Sequence, residues 1–320
     1  VEIEGQLLGL EVDDDGRAER YHALASLYSQ ELEQAVEARE CLQSVLELRP
    51  LDLKAFGLLQ GLYREAGLWW ELRELNEDFV ERVPAEERSA LLKETRDVLR
   101  EELGESDLAF IAACRFYRED PEAHDAAEVV ERLALETGSA EEGALTLNDE
   151  CDRIKAVDAR IAVVLRVARL YADEVQDVAA AQEACRRALK WDDGNLEALD
   201  RLSDLAAEEE RFDKQLAALE QKLQHVEELE DKKEILFLAT RIWRDEVEDG
   251  ESAIDSCLRI LSLDPDDMQA LVLLAGLYEG EDDLLNLVET LKRQVPLSAS
   301  PEAEKATRLR IAGLYENELE

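Results

Sequence analysis

The residues able to do chemistry are few and widely spaced. Five cysteines stand at 41, 114, 151, 185 and 257, and three histidines at 22, 124 and 225. No histidine has a second imidazole or thiol at the spacing of a zinc ligand set. Cys41, Cys114, Cys185 and Cys257 follow one another at 73, 71 and 72 residues, a register that suits one repeated core position better than a metal or redox centre. The acidic run Glu11-Val12-Asp13-Asp14-Asp15-Gly16 has a calcium-loop flavour. However, Glu holds the first position and His22 stands where a bidentate Glu is needed, so it reads as a helix-connecting turn. No glycine-rich phosphate loop, nucleophile elbow or paired catalytic motif is present. The expectation is a protein that is not an enzyme, with no metal and no cofactor.

Charge narrows the partners. Thirty-seven basic and 78 acidic residues give a formal net charge of −41, which repels phosphate backbones and anionic lipid, so neither nucleic acid nor membrane is expected. No apolar run approaches the roughly 18 to 20 residues of a bilayer span. The start, Val1-Glu2-Ile3-Glu4, lacks a basic region or signal-like core. An odd cysteine count favours a reducing compartment, and the provisional expectation is cytoplasmic. With 46% hydrophobic residues, six prolines and fourteen glycines, the chain has material for a continuous core and reads as folded and all-helical.

The elements that must position these residues repeat. Tyr28, Leu99, Tyr171, Trp243 and Tyr315 follow at 71, 72, 72 and 72 residues. The same register holds Ala38, Ala109, Ala181 and Ala253, then Pro50, Pro121, Asp193 and Pro265, then Ala55, Ala126, Ala198 and Ala270. It also holds Leu59, Val130, Leu202 and Leu274, and Leu62, Leu133, Leu205 and Leu277. Each block divides into four amphipathic helices. Between 161 and 232 they read ARIAVVLRVARLYADE, VAAAQEACRRALKW, NLEALDRLSDLAAEE and RFDKQLAALEQKLQHV, each with one apolar stripe that a neighbour must cover. Arg49-Pro50, Asp120-Pro121, Asp192-Asp193-Gly194 and Asp264-Pro265 punctuate them.

These residues resemble the tetratricopeptide repeat, a 34-residue helix-turn-helix unit. The unit from 161 shows Val164, Val167, Ala168 and Tyr171, then Ala181, Cys185, Ala188 and Asp193 in the family's small, bulky, small and proline positions. The unit from 233 shows Leu236, Ala239, Thr240 and Trp243, then Ala253, Cys257, Ile260 and Pro265. Three departures stand out: a mean unit of about 36 residues, one inserted residue between the helices of odd units, and Arg96 where a small side chain should pack. Relatives with half-a-TPR character use the same anchors and stay open as an alternative. The resemblance implies a right-handed α-α superhelix, a solenoid of about eight TPR-like helix pairs over residues 1–320. The approximate units are 18–52, 53–88, 89–123, 124–160, 161–195, 196–232, 233–267 and 268–304, with partial helices at 1–17 and 305–320. Both ends interrupt a unit, so the sequence reads as an excerpt of a longer array.

The resemblance also implies a site. First helices of such repeats line a concave groove, with positions 5, 9 and 12 facing a bound segment. Position 9 runs Ser26, Gly61, Asp97, Arg132, Arg169, Asp204, Arg241, Gly276 and Gly313, and position 12 adds Arg64, Arg100 and Arg244. Arg100, Arg132, Arg169, Arg241 and Arg244 are the candidates for gripping carboxylates of a protein or peptide partner through forked hydrogen bonds. The competing expectation is that they pair inside the stack with Glu128, Asp173 or Asp245. Gly57, Gly61, Gly276 and Gly313 leave the same wall open to a partner helix. No Asn stands at position 9, so a carboxylate clamp of the chaperone-binding kind is not implied. Trp69 aligns with Phe212 and Leu284 and should be core, whereas Trp70 aligns with Asp213 and Leu285 and is a candidate exposed anchor. The expected function is a non-catalytic interaction scaffold, with a structural spacer or a regulatory arm of a larger protein as the alternatives.

Overall fold

Periodic apolar stripes, caps at the turns and scarce proline produce helices throughout. The computed structural model describes residues 13–317, and among them every regular element is helical. Of the partial helix expected at 1–17, residues 1–12, with Glu11 and Val12 of the acidic run, lie outside the described residues. The chain forms two compact units, one running to Asp177 and the other from Val178.

The first unit holds α1 (Asp14–Ser26), α2 (Ala35–Leu48), α3 (Leu53–Ala66), α4 (Trp69–Val80), α5 (Ala85–Asp97), α6 (Ser106–Glu119), α7 (Ala126–Thr137), α8 (Ala140–Glu150) and α9 (Val157–Arg169). The second holds α10 (Val178–Trp191), α11 (Leu196–Glu208), α12 (Phe212–His225), α13 (Leu229–Asp245), α14 (Gly250–Leu263), α15 (Met268–Gly280), α16 (Leu284–Gln294) and α17 (Pro301–Asn317). Within each unit, successive helices pack on one another as antiparallel neighbours would. The division falls between the two helices expected to make the 161–195 pair.

The aligned rows are buried where close helix approach requires small side chains. Ala38, Ala109, Ala181, Ala253, Ala55, Ala198 and Ala270 are all 0% exposed, which lets helix axes come within the ~8–10 Å of tight packing. Leu59, Val130, Leu133, Leu205 and Leu274 fill the space between them. Each such burial contributes ~1.5–3 kcal/mol, and trimming one, as in Leu133→Ala, costs ~2–5 kcal/mol through the cavity it leaves.

Three first helices, α1, α5 and α9, end in a wider π-type turn, at Leu27–Glu31, Val98–Glu102 and Leu170–Val175. The aligned row supplies the closing acceptor: the amides of Gln34, Glu105, Asp177 and Asp249 donate to the carbonyls of Tyr28, Leu99, Tyr171 and Trp243 at 2.9, 2.8, 2.9 and 2.8 Å. The residue before each donor is left-handed: Glu33, Gly104, Gln176 and Glu248, with φ between 53° and 69°. Even units close one residue sooner, as when Leu68 donates to Tyr63 at 2.9 Å behind left-handed Gly67. The inserted residue of odd units is thus absorbed in a wider C-terminal turn, and the helices keep their register.

Odd first helices begin one turn ahead of the boundaries drawn from the apolar rows, for example at Val157, Leu229 and Pro301. That turn is polar and invisible to an apolar pattern. Acidic side chains hold it, Asp158, Glu230 with Asp231, and Glu302 with Glu304, because a helix N-terminus favours negative charge. The acidic run follows the same logic: Asp13 Oδ1 accepts from the Gly16 amide at 2.6 Å and caps α1, so it is a helix start rather than a connecting turn.

Candidate functional site

Position 9 of the first helices is open in each unit. Arg132, Asp204, Arg241 and Gly276 are exposed, Ser26, Gly61, Asp97, Arg169 and Gly313 are half-buried, and none is buried. A Cβ built on Gly57, Gly61 or Gly276 would meet no atom within 4 Å. The chemistry on this face differs from rank to rank, because a neighbouring first helix decides which charges are already paired.

Arg100 donates to Glu136 at 2.8 Å. Arg169 lies 3.4 Å from Glu131, a carboxylate that also holds Arg166. Arg244 forms a fork with the adjacent Asp245 at 2.6 and 2.8 Å, and this contact raises the guanidinium's pKa and lowers the carboxyl's. Of the five candidate arginines, only Arg132 and Arg241 are exposed and without a hydrogen bond or ion pair among the described residues. Asp245 had been foreseen as a partner from the sequence. Glu131 and Glu136 had not, since both sit on α7, 35 and 36 residues from the bases they hold. Trp70 is 48% exposed, and Trp69 is half-buried against the core of the first unit.

The second unit holds a groove of about 790 Å³ between α11 and α13, lined among others by Leu196, Asp200, Asp204, Lys222, Lys233, Phe237, Leu238 and Arg241. Lys222 pairs with Asp200. Lys233 reaches Asp267 at 2.6 Å and Asp264 at 3.0 Å, and hydrogen bonds to these two carboxylates raise its pKa. Asp204 has no hydrogen bond or ion pair among the described residues, and burial, then the Asp200 charge, push its carboxyl above its ordinary value. The groove therefore offers apolar side chains, the unpaired cation Arg241 and, among the described residues, three unpaired carboxylates, Asp204, Asp231 and Glu234.

The other chemical candidates resolve into structure. All five cysteines are free and buried. Burial raises Cys41 and pushes Cys114, Cys185 and Cys257 up to about 11, which keeps them protonated and unreactive. His22 lies 3.1 Å from Asp52, which caps α3 through the Ala55 amide at 2.9 Å. No cluster of metal-ligating side chains occurs among the described residues, and no described helix is long and apolar enough to cross a membrane. Arg96 is 4% exposed where Ala25, Ala168 and Thr240 stand in other blocks. It is tolerated because its guanidinium lies over the Phe116 ring at 5.4 Å and reaches Asp97 at 2.7 Å and Asp125 at 3.5 Å.

The fold is a stack of tetratricopeptide-like helix pairs. No family model matches the chain, and no curated protein does. Among solved structures, it is similar to the C-terminal part of a TPR repeat-containing protein from Cytophaga hutchinsonii, at 15% identity over 79% of this chain and 99% of that one, with a TM-score of 0.39. It is also similar to YrrB, described as a TPR protein with an unusual peptide-binding site, at 14% identity over 57% of this chain and 89% of that one, with a TM-score of 0.35. A third likeness is to a structure of the APC/C hetero-tetramer Cut9-Hcn1, at 14% identity and a TM-score of 0.30, covering 92% of this chain. The chain spans 58% of the length of that last structure. The architecture rests on the helix pairing and the buried rows.

Proposed function

We propose that the chain is a non-catalytic scaffold that binds a segment of another protein along its first-helix face. The observation that carries this reading is the groove between α11 and α13, where Leu196, Phe237 and Leu238 stand beside unpaired Arg241 and Asp204. Unpaired charges over apolar surface gain most from a partner that completes them. In the first unit Arg100 and Arg169 are paired with Glu136 and Glu131, which supports a spacer role there, so the second unit is the one we assign to the partner.

A photo-crosslinker at Gly276, compared with one at Leu258 on the second helix α14, tests the reading in native extract. The partner captured at Gly276 is then purified and titrated against wild type and Arg241→Glu. Saturable binding weakened about tenfold by the substitution supports the scaffold. Equal capture at both positions, or affinity unchanged by Arg241→Glu, refutes it.

A further inference from the structure

A second groove lies between the second helices of the second unit, away from the position-9 face. It has a volume of about 720 Å³ between α12 and α14, with α13 at its floor, where Leu216, Leu223, Ile235, Ala239 and Trp243 make an apolar bed. The Trp243 row is half-buried at Tyr28 and Tyr171 as well and is closed at Leu99. Thr95 and Leu99, at the rows of Ala239 and Trp243 in the first unit, are 0% and 1% exposed, whereas Ala239 and Trp243 are half-buried. Small side chains widen it: Ala217 stands at the row of exposed Glu74, and Ser252 at that of half-buried Leu108. One block has small residues where its counterpart has large ones, and an aromatic face is left open.

The rim sets the occupant. Asp213, Glu220, Glu251 and Asp255 surround the bed, and Arg259 is the one base lining it. Arg259 is held by Glu220 in a fork of 2.8 and 3.0 Å, the repeat of the Arg115–Glu77 pair that ties α6 to α4. Glu251 and Asp255 are exposed and have no hydrogen bond or ion pair among the described residues. They stand four apart on α14 and so share one face. A second copy of the chain, itself at −41, is repelled by such a rim. We propose that this groove docks a basic amphipathic helix of another protein, its apolar ridge against Trp243 and Ala239 and its Lys or Arg residues, one turn apart, on Glu251 and Asp255.

The test uses a synthetic helical peptide with leucines at i, i+3, i+4 and i+7 and lysines elsewhere, beside a scrambled peptide of the same composition. Binding is read by fluorescence anisotropy and by the indole NMR resonance of Trp243, assigned with Trp243→Phe. The expected result is saturable binding that moves the Trp243 indole. It should weaken about tenfold for the scrambled peptide, for Ala217→Phe, which fills the groove, and for Glu251→Lys with Asp255→Lys. Glu227→Lys with Glu302→Lys, an equal charge change at exposed positions elsewhere, and Arg241→Glu in the other groove should leave affinity within about twofold. Equal binding of the two peptides overturns the proposal, as does an unmoved Trp243. If Ala217→Phe loses its helical circular dichroism, the doubly reversed rim decides: affinity no weaker than that of the control charge variant overturns it.

Discussion

The wide turn that closes the odd first helices makes a testable claim about backbone strain. Glu248 is exposed, has no ion pair among the described residues, and holds φ at 58°. A left-handed conformation costs a residue with a Cβ ~1–2 kcal/mol, and glycine loses ~0.5–1 kcal/mol more than other residues on folding. Glu248→Gly is therefore expected to stabilise the second unit by ~0.5–1 kcal/mol. The repeat supplies the reverse experiment. Gly104 occupies the same turn in the first unit at φ 69°, and a Cβ there would meet no atom within 4 Å. Gly104→Ala should then cost ~1 kcal/mol from strain alone, with no clash to confuse it. Urea unfolding followed by far-UV circular dichroism should show the midpoint rising for the first substitution and falling for the second, with slopes unchanged. A lowered midpoint for Glu248→Gly would refute the assignment of strain to this position.

Three further outcomes follow from the packing. Cys41, Cys114, Cys185 and Cys257 should resist Ellman's reagent at mildly alkaline pH and react only in denaturant, because burial holds their thiols protonated; rapid native labelling would contradict their placement. Burial pushes the Asp267 carboxyl up, but Lys233 and the Ala270 and Gln269 amides more than offset it and hold it below the usual carboxylate range. A depressed folded value adds stability above the unfolded pKa near ~4 that is lost as pH falls through the folded one, so Asp267→Asn should flatten the acid limb of the stability profile. Arg96→Met is expected to leave the first unit within ~1.5 kcal/mol of wild type, because Asp97 and Asp125 stay solvated, whereas Arg96→Ala should cost ~2–4 kcal/mol by emptying the space against Phe116; equal costs would show that the charge rather than the volume matters.

The sequence by itself determined the helices, their pairing order and the buried rows, because each block repeats the same local environment and a residue such as Ala109 or Cys257 meets the same kind of neighbour every time. It also placed Arg132, Arg169 and Arg241 at the same position of their helices and marked Trp70 as exposed, since helical spacing alone says which side of a helix a residue is on. Tertiary structure decided what stands opposite. Glu131 and Glu136 pair with bases 35 and 36 residues away, and whether Arg169 or Arg241 is left unpaired depends on which charge the next first helix carries at the matching height. The groove over Trp243 likewise arises from Ala217, Ala239 and Ser252 on three different helices. A periodic pattern records faces, whereas pairs and voids belong to the contact between faces, and only the packed stack brings those together.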